Sequence, residues 1–262
     1  MSEQQFQLLK AGGFVFAVGL ASLLQRLTPH GHIKGSARTN AALWLVDVAV
    51  LGTVCGACAC TVARWAEVNA VGLFNRIAVP GWVAAAVTVV MLDLVSYLWH
   101  RANHAIPVLW RFHRVHHSDG TFTVSTAARF HPGELLLSLP VRLSAILLLG
   151  APVGGIVLFE LIFSVANFVE HGDIDVPARV ERRLGGLFIT PALHRWHHSR
   201  RWADLNTNFG TIFVIWDRVL ATYDRSSSTV VVATGLPGIT EPLSLISALA
   251  LPFTSVVGAQ GR

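Results

Sequence analysis

The chain has 262 residues, of which 53% are hydrophobic and only 13% are charged, and its mean hydropathy is +0.54. Because a soluble domain carries about 25% charged residues, this composition indicates an integral membrane protein. The net charge of +5 comes from basic residues at the ends of apolar runs, which suit lipid headgroups, and no basic tract with interleaved aromatic residues suggests a nucleic-acid partner.

Three apolar stretches in the first hundred residues predict membrane spans, since a span needs about 20 mostly apolar residues. They cover residues 11–25, 41–63 and 77–97. Asp47 interrupts the second stretch and Asp93 the third, which runs directly into His100.

Two further apolar stretches, 135–149 and 152–169, are separated only by the short joint GAP, so we predict an antiparallel helical hairpin. Arg142 and Glu160 each lie nine residues from position 151 at the tip of this hairpin. Because charged residues inside a span usually find partners, we predict that the two side chains face each other as a structural pair. The alternative is that Glu160 lines a substrate channel.

The predicted elements give an all-α fold, an integral membrane helical bundle with four to five membrane helices. A last apolar stretch, 243–253, is too short to span, and we expect it to pack on the domain or on the membrane surface. Most basic residues would lie on the side where the histidines emerge, which predicts a cytoplasmic face for a helical cap that carries them. We expect a bacterial inner membrane, because no eukaryotic targeting signal is evident.

Eight of the twelve histidines fall in the three short motifs HRANH (100–104), HRVHH (113–117) and HRWHH (194–198). On a helix, residues i, i+3 and i+4 share a face, so the histidines of each motif could coordinate a metal ion from one face of a helix. The predicted ligands are His100, His104, His113, His116, His117, His194, His197 and His198. One transition metal takes about four to six ligands, so eight histidines predict a two-metal site.

Two further histidines are candidates for the same site. His131 and His171 each lie 20 residues from position 151, so an ideal hairpin returns both to the same level. We predict His171 as an additional ligand, and His131, which begins HPGE, as a neighbour of the ligands.

The chemistry of this site is left open by the histidines alone, because imidazole suits Zn, Cu, Fe and Ni. The zinc-protease motif HExxH and the nucleophile elbow GxSxG are both absent. Two irons beside a bilayer suit the activation of O₂ against a lipid C–H bond. The alternatives are a membrane zinc hydrolase that uses the same histidines, and a non-catalytic metal-binding or haem-binding membrane protein.

The motifs resemble those of the fatty acid hydroxylase/sterol desaturase superfamily over about residues 85–225. The resemblance is carried by DLVSYLWHRANHAIPVLWRFHRVHHS (93–118), LHRWHHS (193–199), NFG (208–210) and WDRVLATY (216–223). It implies a non-haem di-iron oxidoreductase that uses O₂ and two external electrons to hydroxylate or desaturate a lipid, fatty acyl or sterol-like.

The resemblance also implies roles for individual residues. The eight motif histidines would be catalytic metal ligands, with His171 as the family's additional histidine. Asp93 lies two helical turns before His100 and could accept a proton from a ligand imidazole, as carboxylates beside metal ligands do. His131, Asn167 and Asn208 could likewise orient ligands.

The same resemblance divides the chain into N-terminal membrane helices (1–75), a catalytic domain (76–225) and a C-terminal tail (226–262). No fused cytochrome b5 domain and no Rossmann fingerprint occur in the sequence. We therefore expect the electrons to come from a separate ferredoxin, cytochrome or reductase.

Overall fold

The computed structural model describes residues 1–31, 36–55, 58–224 and 233–255, and within them the chain forms helices and no strand. The α-helices are α1 (Glu3–Leu27), α2 (Ala37–Cys55), α3 (Cys58–Val68), α4 (Gly81–Ala105), α5 (Pro107–His117), α6 (Pro132–Leu149), α7 (Val153–Glu170), α8 (Ala178–Leu184), α9 (Pro191–His197), α10 (Ile215–Val219) and α11 (Leu245–Ala250). The predicted all-α fold is confirmed.

Five stretches of the described chain are long and apolar enough to cross a membrane. They are Glu3–Leu27, Ala37–Asn75, Gly81–Ala105, Pro132–Leu149 and Val153–Glu170. Residues 56 and 57, in the predicted span 41–63, lie outside the described residues. The prediction of four to five membrane helices is confirmed.

Helix α1 is longer than its apolar stretch because a capping box starts it early. The Ser2 hydroxyl accepts a hydrogen bond from the Gln5 backbone N–H, and the Gln5 side chain accepts one from the Ser2 N–H. These two contacts satisfy N–H groups that the first turn of a helix leaves unpaired. The polar residues before position 11 therefore belong to the helix, which begins at Glu3.

Helix α4 also runs beyond its apolar stretch, and this extension builds part of the site. Pro80 precedes its first turn, and the helix continues through His100 and His104 before ending at Ala105. Pro107 then starts α5, because a proline fits the first turn of a helix but not its interior. The two histidine motifs therefore lie on consecutive helices around one corner.

Helices α6 and α7 form the predicted hairpin. Gly150 ends α6 with φ +62°, the left-handed conformation that glycine adopts without strain. Arg142 and Glu160 meet across the hairpin in an ion pair, and Lys10 of α1 lies 3.9 Å from the same carboxylate. The predicted pairing is thus confirmed.

The C-terminal apolar stretch packs on the domain, as expected. Leu43 of α2, Val115 of α5 and Ala248 of α11 form one buried cluster. The Arg114 guanidinium donates to the carbonyls of Leu251 and Thr254, which fixes this stretch beneath α5.

The main apolar core lies between α3, α4, α6 and α7, with α1 packed along α7. It includes the buried side chains of Val89, Leu92, Ile146, Ile156 and Phe159. The histidine motifs lie beyond one end of this core, on α5, α9 and the last turn of α4. The predicted domain boundaries at residues 75 and 225 stay a prediction.

Candidate metal centre

Nine histidines converge into two groups in which every donor nitrogen lies within 4.8 Å of the others. The first histidine group contains His100, His104, His113, His117 and His197. The second histidine group contains His116, His171, His194 and His198. The eight motif histidines and His171 are therefore all brought together, although they come from four separate segments of the chain.

Each HxxHH motif is divided between the two groups, which corrects the expectation that one motif grips one ion. On α5, His113 and His117 belong to the first histidine group and His116 to the second. On α9 and its C-terminal cap, His197 belongs to the first group and His194 to the second. The reason is geometric: with about 3.6 residues per turn, the residues at i+3 and i+4 lie on opposite sides of residue i, about 100° apart around the helix, so the two adjacent histidines can point to different ions.

Several imidazole nitrogens face each other at separations that fit a shared metal ion. Nε2 of His171 lies 3.0 Å from Nε2 of His116 and 2.9 Å from Nε2 of His194. Nε2 of His113 lies 3.2 Å from Nε2 of His117. Two nitrogens bound at right angles to one ion, each about 2.1 Å from it, lie roughly 3.0 Å apart.

The tautomers exclude a hydrogen bond as the explanation for the contact between His116 and His171. Nδ1 of His116 lies 3.2 Å from the Arg129 carbonyl oxygen, and Nδ1 of His171 lies 2.7 Å from the Asn167 carbonyl oxygen. A carbonyl only accepts, so each Nδ1 carries the proton and each Nε2 of the neutral ring carries a lone pair. Two lone pairs 3.0 Å apart repel each other unless a cation lies between them. The donor set therefore fits a metal ion.

Burial keeps these imidazoles in the neutral form that binds metals. It lowers the pKa of His197 to about 3 and that of His171 to about 4. It also lowers the pKa of His116, His194 and His198 well below the usual value for histidine. A neutral imidazole offers a lone pair, which an imidazolium does not.

Several buried ring nitrogens lack a hydrogen-bond partner within the described residues. They include Nε2 of His100, His104 and His197, and both ring nitrogens of His198. Buried polar atoms are nearly always partnered in native structures, and a metal ion would be the missing partner here.

Backbone carbonyls, together with one carboxylate, orient the ligand rings. The Phe209 carbonyl lies 2.8 Å from Nδ1 of His100, and the Thr207 carbonyl lies 2.8 Å from Nδ1 of His197. The Glu134 carboxylate lies 2.8 Å from Nδ1 of His113. Each contact turns the opposite nitrogen, Nε2, towards the centre of the first histidine group.

Asp93 is placed beside the site, but it contacts the closing segment rather than a ligand imidazole. Its carboxylate accepts hydrogen bonds from the backbone N–H groups of Ile212 and Phe213 and from the Trp216 indole, at 3.1, 3.2 and 2.8 Å. It therefore fixes the loop that carries the orienting carbonyls, and it lies one contact further from the ligand imidazoles than predicted.

Asn208 lies between the two residues whose carbonyls orient His100 and His197. Its φ of +53° turns the chain sharply there, and its side chain pairs with the backbone of Asp224 at 2.9 and 3.0 Å. It shapes the loop, and the carbonyls on either side of it touch the ligands.

Asn167 and His131 also take positions that the sequence did not specify. Asn167 acts on His171 through its backbone carbonyl, while its side chain donates to the Ala127 carbonyl. His131 begins α6, where Nδ1 accepts from the Gly133 N–H at 2.9 Å and Nε2 donates to the Leu249 carbonyl at 3.2 Å. His131 thus connects α6 to the C-terminal stretch and belongs to neither histidine group.

Sequence reasoning assigned no role to two buried acids, Glu134 and Glu170. Glu134 orients His113, and Glu170 lies 3.7 Å from Nδ1 of His171 and 3.9 Å from Nε2 of His194. Both lie at the histidine ends of the hairpin, in HPGE and VEH. Burial of an acidic side chain within a membrane helix is energetically unfavourable, so the presence of an acid at each of these two positions could have indicated a functional role.

A cavity of about 210 Å³ leads from the histidines into the helix bundle. His100, His113 and His171 line one end, and Ser138 and Arg142 line the other. A second cavity of about 520 Å³ between α1, α2, α6 and α7 shares part of this lining and includes Glu160. The two cavities share Ser138, Arg142 and Phe163 in their linings, so together they extend from the histidines towards the space between α1 and α2.

Comparison with known proteins places this geometry in a family. The profile of a family described as fatty acid hydroxylase matches residues 85–222, which is more than half of the chain. An ornithine lipid hydroxylase of Rhizobium tropici is 37% identical over 152 residues, covering 56% of this chain and 44% of that protein.

Two further relatives are less similar in sequence and are named as a monooxygenase and a hydroxylase. Alkylglycerol monooxygenase of Homo sapiens is 27% identical over 166 residues, covering 62% of this chain and 34% of that protein. Cholesterol 25-hydroxylase of Homo sapiens is 25% identical over 139 residues, covering 52% and 50%. The chain thus spans half or less of the length of these relatives, and no solved structure matches it. The profile match includes all nine histidines of the two groups, and the chain belongs to the fatty acid hydroxylase family.

Proposed function

We propose that this protein is a membrane-bound, non-haem di-iron oxygenase that hydroxylates a lipid. The facing lone pairs of His116 and His171 carry the proposal, because only a cation between them makes this buried arrangement favourable. The named hydroxylases and monooxygenases among the relatives support an oxygenase over a zinc hydrolase.

The reaction determines the kind of metal. Hydroxylation converts R–H, O₂, two electrons and two protons into R–OH and water, so two electrons must reach the site for each product. Zinc has no redox chemistry, whereas iron accepts imidazole ligands and exchanges electrons. Two irons would supply the activation of O₂, one in each histidine group. The first group would hold its ion through His100, His104, His113, His117 and His197, and the second through His116, His171, His194 and His198.

The protein's own residues position the substrate and exclude water. The cavity between α4, α6 and α7 admits an apolar chain from the membrane, with Leu92 and Phe163 along its wall. Its inner end opens on His100 and His171, so the carbon to be oxidised would lie against the metal centre. Asp93 and Asn208 keep the closing loop in place while the substrate enters.

The proposal also covers the electron donor and the orientation of the protein in its membrane. A separate ferredoxin, cytochrome or reductase supplies the electrons, and the metal centre lies on the cytoplasmic face of a bacterial inner membrane. The predominance of arginine on the histidine side, including Arg101 and Arg111, supports that orientation.

Removal of one histidine from each group tests the proposal. We expect His116→Ala and His197→Ala to abolish an oxygenated lipid product in bacterial cells, detected by mass spectrometry as a gain of one oxygen. Both proteins should remain in the membrane fraction and lose iron. His30→Ala is the matched control, since His30 is outside both groups and contacts the exposed Asp175 carboxylate at 3.6 Å.

The outcomes separate the alternatives. Two irons per chain with an oxygen-dependent product support the di-iron oxygenase. Stoichiometric zinc that sustains lipid hydrolysis, or an unchanged product in either histidine variant, would overturn it.

A further inference from the structure

The metal centre needs electrons, yet seven of the nine histidines that surround it are buried, and the other two, His100 and His104, are partly exposed. His117, His197 and His198 have no solvent-exposed surface, and His113 is 3% exposed. A separate donor touches the outside of the protein, so an electron that reaches the buried histidines crosses a layer of side chains.

Two tryptophans connect the protein surface to the first histidine group. The Trp110 ring centroid lies 4.9 Å from that of His104 and 5.5 Å from that of His117. The half-buried Trp202 packs against Trp110 at 6.1 Å, edge to face. Within the described residues, this is the one contact between two indoles, and it runs from the surface to the ligands.

The surface around Trp202 is basic. Arg200 and Arg201 precede it, and the Arg201 side chain is 71% exposed. The nearby Asp204 carboxylate lies 3.6 Å from Arg201 but is only 5% exposed, so the positive charge faces solvent. Tryptophan and arginine are the residues most enriched where proteins bind other proteins.

We propose that the surface formed by Arg200, Arg201 and Trp202 is the docking site for an acidic one-electron carrier. The inference rests on the proposed function, because that reaction consumes two electrons for each lipid hydroxylated. Two reduced carriers would bind in turn, each leaving oxidised after losing one electron, which would pass through Trp202 and Trp110 to the iron that the first histidine group would hold. The basic residues attract the carrier, and the indoles shorten the distance that the electron crosses.

Anionic lipid headgroups are the other ligand that arginine and tryptophan could bind at this surface. The carrier is favoured because Trp202 continues inward to Trp110 and the ligand rings, a connection that lipid binding does not require. The test therefore includes both.

Charge reversal at the surface tests the docking site. The probe is an acidic [2Fe–2S] ferredoxin, and its affinity for the iron-loaded protein in detergent is measured at low and high salt. We expect the double variant Arg200→Glu/Arg201→Glu to weaken binding by about tenfold or more at low salt, with little difference at high salt. The control Arg182→Glu/Arg183→Glu reverses two exposed charges on α8 and should change affinity less than about twofold.

A second variant tests the electron path separately from binding. Trp202→Leu should keep the ferredoxin affinity but slow reduction of the bound iron, followed by stopped-flow absorbance, by about tenfold or more. Trp82→Leu, an exposed indole at the start of α4, should leave that rate unchanged.

The inference is overturned if the arginine variant binds ferredoxin as the wild type does. It is also overturned if that variant loses only binding to phosphatidylglycerol vesicles, or if Trp202→Leu is reduced at the wild-type rate. Failure of the proposed function is distinguishable, because ferredoxin binding is measured without lipid turnover.

Discussion

Replacement of Glu134 by alanine tests how the first histidine group is held. The Glu134 carboxylate lies 2.8 Å from Nδ1 of His113 and 3.1 Å from the side-chain nitrogen of Asn103. A hydrogen bond to a charged group contributes about 1.5–3 kcal/mol. Loss of a residue that orients a metal ligand typically lowers affinity about 10–100-fold, or about 1.4–2.8 kcal/mol. The two ranges agree, so we expect Glu134→Ala to weaken metal binding in this group by that factor.

The assay is competition between the iron-loaded protein and a chelator of known affinity, with bound metal counted by mass spectrometry. Glu134→Gln keeps an oxygen that can accept from His113 but removes the charge, and it should lose less affinity than the alanine variant. Glu67→Ala, an exposed acid on α3, is the control. If Glu134→Ala retains both metal ions against the chelator as the wild type does, the carboxylate does not support the ligand.

Three further substitutions test the loop, the hairpin and the cavity. Asp217→Asn turns one of the acceptors for the N–H groups of residues 209 and 210 into a donor, and it should lower the unfolding free energy by about 1–3 kcal/mol in detergent denaturation; an unchanged value contradicts this. Gly72→Ala places a Cβ 2.2 Å from the Gly150 backbone nitrogen, at a residue whose φ is +92°, and should lower the melting temperature; the Cβ of Gly154→Ala meets no atom of the described residues within 4 Å and should not lower it. Ser138→Phe fills a position that lines both cavities and should lower hydroxylation of long acyl chains about tenfold or more with unchanged iron content; normal turnover would exclude this path.

The membrane helices and the grouping of histidines along each helix were predictable because both depend on local patterns. Apolar length predicted the spans, and the short joint at position 151 predicted that Arg142 and Glu160 meet. The i, i+3, i+4 spacing placed three histidines near one face of α5. Each inference needed only the geometry of a single helix or of a hairpin.

The division of each HxxHH motif between two groups was not predictable from one helix. It depends on how α5 and α9 lie relative to each other and to the last turn of α4. His116 joins His171, His194 and His198, while its sequence neighbour His117 joins the first group. Helix spacing gives the angle between neighbouring side chains, but long-range packing decides which partner lies in each direction.

The position of Asp93 shows why a carboxylate near a metal site is easily given the wrong partner from sequence. Its spacing from His100 is compatible with contact along one face, but backbone N–H groups of the closing loop need acceptors as strongly as an imidazole does. Three donors from residues 212–216 occupy its oxygens, and a carbonyl of that same loop turns His100.

Because backbone carbonyls orient several ligands, the amino-acid types at the orienting positions can vary. Four of the nine histidines, His100, His116, His171 and His197, have Nδ1 against a backbone oxygen rather than a side chain. Any residue type supplies that oxygen if the backbone follows the same path, so side chains at the orienting positions can change without loss of the ligand geometry. The residues that must be kept are those that fix the backbone path. Near His100 and His197 these are Asp93 and Asp217, whose carboxylates accept hydrogen bonds from the loop. This accounts for why substitutions of such acids are expected to disturb a metal site that they do not touch.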